Sequence, residues 1–221
     1  MRVLVVDVGG THVKAMVAGT RTEVKLDSGP AMTPRRMVNA LKRLTKGWKY
    51  DRVSIGYPGP VVAGRPVREP FNLGRGWVGF DFREAFGKPV KVINDAAMQA
   101  LGSYRRGRML FLGLGTGLGS AMIADGVLEP MELAHLPYKK GKTYEDYLGK
   151  RGLERRGKKK WRKSVLDVAA RLKDAVQADE VVLGGGNAKK LDGLPAGMRL
   201  GGNEKAIEGG LRLWTSTPLG R

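Results

Sequence analysis

The stretch MRVLVVDVGGTHVK (residues 1–14) combines a continuous apolar run with a glycine pair and a threonine. A short apolar run bounded by glycine is typical of a strand that is buried on both faces, and we place this strand at Met1–Asp7. The glycine pair then predicts a tight turn. Two further strands are expected over Val13–Ala18 and Arg21–Leu26, so the chain begins as a three-stranded meander.

The same pattern starts again at FLGLGTGLGSA (residues 111–121), where glycines with a threonine again separate two apolar runs. Strands are predicted at 53–57, 90–93, 109–114, 120–124, 127–129 and 180–183, and helices at 34–46, 96–104, 163–177 and 204–214. This repeat predicts two α/β lobes with a ligand cleft between them. We expect the lobes to be residues 1–104 and 105–221, with the last helix packing back on the first lobe.

The composition excludes several classes of protein. The chain has 221 residues, of which 42% are hydrophobic, and no cysteine. The absence of cysteine excludes disulfide frameworks, cysteine-ligated zinc, iron–sulfur clusters and thiol nucleophiles. No apolar run approaches the roughly 18 residues of a membrane span, and the chain begins without a signal-peptide pattern. We therefore expect a cytoplasmic protein with no membrane partner.

The positive charge is concentrated in one segment. The net charge is +19, and residues 139–163 hold 12 basic and 3 acidic side chains. Most charge runs are solvated surface, but here apolar residues such as Tyr147 and Trp161 interleave with the lysines and arginines. We interpret the run as an anion-binding surface whose partner is a polyanion.

Three glycine turns follow apolar strands. Glycine lets the backbone approach a ligand closely and turn its N–H groups towards phosphate oxygens. Each turn alone is equally well explained as a hairpin, but the three together favour phosphate binding; they are Gly9–Thr11, Gly113–Ser120 and Gly184–Asn187. The dinucleotide fingerprint G-x-G-x-x-G has no match. The segment Gly141-Lys142-Thr143 lacks the first glycine of a P-loop.

Seven motifs together resemble the ROK sugar kinases and, among them, the polyphosphate glucokinases. In order they are DVGGTHVK (7–14), IGYPGPV (55–61), NLGRGW (72–77), VINDA (92–96), GTGLGS (115–120), MELAH (131–135) and VVLGGG (181–186). The segment KKKWRKSV (158–165) resembles the polyphosphate branch in particular.

The resemblance implies an actin-like, hexokinase-type ATPase fold of two ribonuclease-H-like lobes with a central cleft. It also implies phosphoryl transfer to the 6-hydroxyl of glucose from inorganic polyphosphate, with ATP left open as a second donor. The charge favours polyphosphate, because a linear polyanion needs a basic track. The alternatives are an ATP-dependent hexokinase for glucose, mannose or an amino sugar and, less favoured, a nucleic-acid-binding protein.

The same resemblance assigns roles to single residues. A sugar hydroxyl is a poor nucleophile, and Asp95 matches the family's catalytic base, although it is also a candidate N-cap of the helix that follows. Asp7 matches the residue that holds Mg²⁺ through water. The resemblance assigns to the sugar site the residues Gly59, Asn72, Asn94, Glu132, His135 and Glu145. It assigns to the phosphate site the residues Gly9, Gly10, Thr11, Lys14, Gly115, Thr116, Gly117, Gly185 and Gly186.

Four residues of the basic run complete the predicted phosphate site. A helix beginning near Lys158 would place Lys158 and Arg162 on adjacent turns, with Lys159 and Lys160 beside them. Many relatives bind zinc through a histidine equivalent to His135 and three cysteines, so no zinc is expected in this chain. The resemblance also leaves room for a homodimer.

Overall fold

Two five-stranded mixed sheets form the frame of the protein. The structure is a computed structural model that describes residues 1–202 and 204–215. Its strands are β1 (Val3–Val8), β2 (His12–Val17), β3 (Glu23–Asp27), β4 (Arg52–Tyr57), β5 (Val61–Val62), β6 (Arg65–Pro66), β7 (Val90–Asn94), β8 (Arg108–Leu114), β9 (Leu118–Ala124), β10 (Val127–Met131), β11 (Glu180–Gly184) and β12 (Met198–Leu200). Its helices are α1 (Pro34–Leu44), α2 (Phe82–Phe86), α3 (Asp95–Ser103), α4 (Tyr144–Leu148), α5 (Lys150–Ala175) and α6 (Lys205–Arg212). None of the helices in these ranges is both long and apolar enough to cross a membrane.

The two sheets have the same strand order. The first runs β3-β2-β1-β4-β7 and the second β10-β9-β8-β11-β12. In each sheet three successive strands form an antiparallel meander, and two later strands extend it in parallel. The predicted meander and its repetition are therefore confirmed. Between β4 and β7 along the chain, β5 and β6 form a short separate hairpin.

The strand β1 is buried on both faces, as its apolar run predicts. Leu4 and Val6 pack into the core of the first lobe. Val3 and Val5 face the other way and belong to a cluster that also holds Met98 of α3. Since side chains alternate across a strand, a run that is apolar at every position fills two cores at once.

The last helix, α6, lies across α3 at backbone contact. A Cβ atom on Gly102 would collide with the carbonyl oxygen of Lys205, and one on Gly209 with that of Met98. A Cβ atom on Gly210 would collide with the side chain of Val5 in β1. Only glycine lets two helix backbones approach so closely. The helix α6 thus contacts α3 and β1, while the predicted boundary between the lobes stays a prediction.

The helix bounds differ most from expectation in the basic run. The sequence predicts a helix over 163–177, but α5 begins at Lys150 and contains non-helical backbone at Gly157 (φ 73°). Lysine, arginine and glutamate are good helix formers, so α5 extends beyond its apolar stripe. Its second part begins directly after Gly157, where a helix start near Lys158 is predicted. The sequence pattern misses α2, α4 and β12 because these elements are only 5, 5 and 3 residues long.

Candidate active site

A cavity of about 1520 Å³ lies where the two lobes meet. Its lining includes every residue predicted for the sugar site, the glycine turns and the metal: Asp7, Gly9, Gly10, Thr11, Lys14, Gly59, Asn72, Asn94, Asp95, Gly115, Thr116, Gly117, Glu132, His135, Glu145, Gly185 and Gly186. The four cations predicted from the basic run lie outside this lining; they are Lys158, Lys159, Lys160 and Arg162. The fold therefore gathers residues from distant parts of the sequence into one cleft, but leaves the four predicted cations of the basic run outside it.

The first glycine turn joins β1 to β2. The backbone N–H of Gly9 donates to the carbonyl oxygen of His12 at 2.9 Å, and the Ser28 hydroxyl donates to the Gly9 carbonyl oxygen at 2.7 Å. A Cβ atom on Gly10 would lie 3.3 Å from the Cβ of Asn72. The turn is thus held from behind and lies directly beside a predicted sugar-site residue.

The second and third glycine turns lie side by side. The Asn187 side chain, which follows β11, donates to the carbonyl oxygen of Gly115 at 3.1 Å. Its backbone N–H donates to the carbonyl oxygen of Leu114 at 2.9 Å. Gly185 packs against Leu114 at φ 81°, a conformation that favours glycine. Because β8 and β11 are parallel neighbours, both turns project from the same edge of the second sheet.

Asp95 lies at the junction of β7 and α3. The helix is capped by Asn94, whose side-chain oxygen accepts the N–H groups of Ala96 at 2.9 Å and Ala97 at 3.1 Å. Asp95 is the first helical residue, so the interpretation of Asp95 as the N-cap is wrong. The Asn94 amide also donates to the carbonyl oxygen of Gly59 at 3.1 Å. The cap therefore fixes the backbone that carries Asp95 and ties it to the loop after β4.

Two carboxylates in the cleft have raised pKa values. Burial, followed by the negative charge of Asp7, raises the pKa of Asp95 to about 7, with Glu132 contributing in the same direction. Burial also raises the pKa of Asp7 to about 6, against the opposing charge of Lys14, its partner across the β1–β2 pair. A carboxylate that titrates near neutral pH is suited to accept a proton under physiological conditions.

Glu132 and His135 lie in the loop that follows β10. The Ser120 hydroxyl donates to the carbonyl oxygen of Met131 at 3.0 Å and accepts the N–H of Leu133 at 3.1 Å. These bonds fix the loop backbone against β9. The side chains of Glu132 and His135 are exposed and line the cleft, so their polar groups are available to a ligand.

Glu145 contacts the second glycine turn. Its Oε2 accepts the N–H of Leu118 at 3.1 Å, and a Cβ atom on Gly117 would collide with this carboxylate. The backbone N–H of Glu145 donates to the carbonyl oxygen of Ala134 at 2.9 Å. Glu145 therefore lies between the loop that carries His135 and a predicted phosphate turn.

Most of the basic run, from Tyr144 onward, lies in the helices α4 and α5. The buried Trp161 donates its indole N–H to the carbonyl oxygen of Leu148 at 2.8 Å and so anchors α5 on α4. Lys158 pairs with Asp192 at 3.3 Å. Arg162 pairs with the same carboxylate at 3.1 Å and donates to the carbonyl oxygen of Gly193 at 2.9 Å. Lys158 and Arg162 therefore hold α5 against the loop after β11.

The two cations of the run that do line the cleft, Lys150 and Arg151, are not among the four that the sequence analysis singles out. They begin α5, and the N–H of Lys150 donates to the carbonyl oxygens of Gly115 and Thr116, both at 3.1 Å. Their position directly after Gly149, at the start of a helix, is the one sequence signal that could have singled them out.

Within residues 1–202 and 204–215, no group of three or more histidine, aspartate or glutamate side chains is arranged to hold a metal ion by itself. Mg²⁺ in kinases needs fewer protein ligands, because it keeps several waters and binds one or two carboxylates together with substrate phosphates. The neighbouring carboxylates of Asp7 and Asp95, with raised pKa values, fit this requirement.

Known proteins resemble this chain in sequence along most of its length. A polyphosphate glucokinase of Mycobacterium tuberculosis is 29% identical over 209 residues, which cover 85% of this chain and 78% of the relative. A polyphosphate glucokinase of Mycobacterium leprae is 27% identical and is matched over 64% of its length.

Solved structures share the fold. The inorganic polyphosphate/ATP-glucomannokinase of Arthrobacter sp. strain KM superposes with a TM-score of 0.80 at 24% identity, covering 96% of this chain and 97% of that one. The ROK hexokinase of Thermus thermophilus superposes with a TM-score of 0.65 at 25% identity, covering 99% and 92%. The predicted actin-like fold is thereby confirmed. The model of the ROK family matches residues 3–129, more than half of the sequence, and this chain therefore belongs to the ROK family.

Proposed function

We propose that the protein phosphorylates the 6-hydroxyl of glucose with inorganic polyphosphate as the phosphoryl donor. The observation that carries the proposal is the meeting of Asp95, the glycine turns and the Glu132–His135 loop in one cleft. The names of the M. tuberculosis and M. leprae relatives support both the sugar and the donor.

Asp95 is the proposed base. The 6-hydroxyl oxygen attacks the terminal phosphorus of the donor while Asp95 accepts its proton. The bond between that phosphorus and the bridging oxygen breaks, and the polyphosphate leaves one unit shorter. A pKa of about 7 suits this role, because the group must be ionised before the step and still be basic enough to take the proton.

The sugar lies, in this proposal, among side chains that offer both donors and acceptors to hydroxyl groups. These residues are Asn72, Asn94, Glu132, His135 and Glu145, with the backbone of Gly59 beside them. Glu132 and His135 are exposed in the cleft, which supports their direct contact with the sugar. The Asn94 amide already donates to the carbonyl oxygen of Gly59, so its role is to shape the pocket wall.

The phosphates lie against the three glycine turns, whose backbone N–H groups and threonine hydroxyls are the proposed donors: Gly9, Gly10, Thr11, Gly115, Thr116, Gly117, Gly185 and Gly186. Lys14 adds a positive charge. Lys159 and Lys160, which are exposed on α5, are proposed to contact polyphosphate only beyond the cleft. Lys158 and Arg162 support this surface by holding Asp192.

Asp7, with Asp95 beside it, would hold Mg²⁺. When bound, this ion supplies positive charge against the phosphoryl oxygens and lowers the repulsion between donor and carboxylates.

A second donor is favoured by one further feature of the cleft. The lining of the cavity also includes four apolar residues, Met16, Ala18, Ile207 and Leu211, besides the third glycine turn. Apolar lining suits a flat base better than a chain of phosphates. ATP is therefore the second candidate donor.

The test is a panel of glucose, mannose and glucosamine, each with polyphosphate and with ATP, in which sugar 6-phosphate is measured. The proposal expects the highest kcat/KM for glucose with polyphosphate. If sugar 6-phosphate forms with ATP but not with polyphosphate, the protein is an ATP-dependent hexokinase instead. If it forms with no pair of sugar and donor, the protein is not a kinase of these sugars.

A further inference from the structure

We infer that Lys150 and Arg151, at the start of α5, form the binding site for the polyphosphate units next to the transferred one. The inference rests on the proposed function and adds to it the place where the rest of the donor chain leaves the cleft. It names two residues that the sequence motifs do not assign.

The first argument is position. Lys150 and Arg151 line the cleft, and the backbone N–H of Lys150 donates to the carbonyl oxygens of Gly115 and Thr116. The start of α5 is therefore fixed to the second glycine turn. A chain whose terminal phosphate lies on that turn meets these two cations with its next units.

The second argument is the local charge. Lys150 and Arg151 are consecutive residues, so two full positive charges lie at the start of α5 beside the cleft. The part of α5 that they begin is short, because non-helical backbone interrupts the helix at Gly157. The positive potential at this place therefore comes from the two side chains.

The third argument is the state of the charges. The contact of Lys150 with Glu154 is 3.7 Å long, and both side chains are more than 60% exposed, so the pair holds Lys150 only weakly. Arg151 makes no ion pair with any carboxylate of the described residues. Lys158 and Arg162, by contrast, are engaged by Asp192. Lys150 and Arg151, the cations nearest the turn, are thus available to a ligand.

The class of ligand follows from these contacts. Every unit of polyphosphate carries negative charge, whereas ATP ends in a nucleoside after three phosphates. The site should therefore matter more for polyphosphate than for ATP, and its effect should weaken as salt screens the charges.

The test is the double charge reversal Lys150→Glu with Arg151→Glu. The matched control is Arg105→Glu with Arg106→Glu, which changes the same charge at an exposed pair outside the cleft lining. The exchange Lys150→Arg with Arg151→Lys keeps both charges and tests whether charge, rather than packing, is what matters. KM and kcat are measured with polyphosphate of defined length, with tripolyphosphate and with ATP, and the thermal midpoint verifies folding.

We expect the reversal to raise the KM for polyphosphate by about tenfold or more and that for ATP by less, with the KM for glucose little changed. The control and the charge-keeping exchange should stay within about twofold of the unmodified protein. Equal polyphosphate KM values for the reversal and the control would overturn the inference and leave the proposed function standing. Failure of the unmodified protein to use polyphosphate would overturn both.

Discussion

In the first sheet, Asp7 lies in β1 and Asp95 directly after β7, and the negative charge of Asp7 is, after burial, the largest cause of the raised pKa of Asp95. The strand β4 lies between β1 and β7 and is parallel to both, so the two residues lie at the same edge of the sheet. Together with burial, this relationship raises the pKa of Asp95 to about 7, which suits its role as the proposed base.

Replacement of Asp95 by asparagine tests the base directly. Asp95→Asn keeps the shape of the side chain but removes its ability to take a proton, so kcat should fall by roughly 100-fold or more. The KM for glucose should change little, because asparagine can still hydrogen-bond the 6-hydroxyl and the other proposed sugar contacts remain. Steady-state kinetics with polyphosphate checks this, and turnover within a fewfold of the unmodified protein would refute the assignment.

The titration of Asp95 in the metal-free protein should report the coupling between the two carboxylates. The pKa of Asp95 should be near 7, well above that of a free aspartate. Asp7→Asn removes a negative charge that raises this pKa, so the titration of the Asp95 carboxyl group, followed by its ¹³C shift, should move to lower pH. Asp125→Asn, the same change outside the cleft lining, is the control and should leave the titration in place.

The pH dependence of folding stability should also reflect the raised pKa of Asp95. The pKa of Asp95 is raised in the folded protein, so ionisation of Asp95 costs stability. The protonated carboxyl group avoids this cost, so the stability that it contributes is fully present below the unfolded pKa, near about 4. This stability is lost as the pH rises through about 7. Asp95→Asn should therefore raise the thermal midpoint at pH 8, by about 2–4 °C for each ~1 kcal/mol gained, and the gain should shrink towards pH 4. A gain that is constant with pH would contradict the raised pKa.

The loop after β10 should determine sugar affinity. Glu132→Gln and His135→Ala should each raise the KM for glucose more than the KM for the donor, because a lost partner of a sugar hydroxyl costs about 1–3 kcal/mol. Glu129→Gln on the exposed face of β10, outside the cleft lining, is the control. A raised donor KM with an unchanged glucose KM would place this loop at the phosphate.

The outer basic surface of α5 should matter for long donors only. Lys159→Glu with Lys160→Glu should raise the KM for long-chain polyphosphate and leave those for tripolyphosphate and ATP nearly unchanged, since short donors end inside the cleft. Lys158 is kept in this variant because its pairing with Asp192 holds the helix. Equal small effects on all donors would assign these lysines to solubility alone.

The sequence predicts the fold and the cleft well because both depend on strand ends. A buried strand followed by glycine or by Asn-Asp places its last residues at one edge of a sheet, so Asp7, Asp95 and Gly115 could be located without coordinates. Asn94 and Asp95 show the limit of this reasoning, because both residue types cap helices and only the backbone decides which one does.

The roles of the single cations in the basic run could not be predicted in the same way. Its 12 cations look alike in sequence, and their surroundings depend on contacts that are distant along the chain. The buried indole of Trp161 fixes how α5 packs on α4. Asp192, about 30 residues away, pairs with Lys158 and Arg162, whereas Lys150 and Arg151 line the cleft.

The central claim is that polyphosphate phosphorylates glucose at this site, and ³¹P NMR of a nucleotide-free reaction tests it most directly. The purified protein is incubated with Mg²⁺, glucose and polyphosphate of defined length, with Asp95→Asn in parallel. The account predicts that a glucose 6-phosphate signal grows as internal phosphate signals decrease by one unit per product, and that the variant forms this signal at least roughly 100-fold more slowly. Release of free phosphate without glucose 6-phosphate, or product formation that requires added ATP, would contradict it.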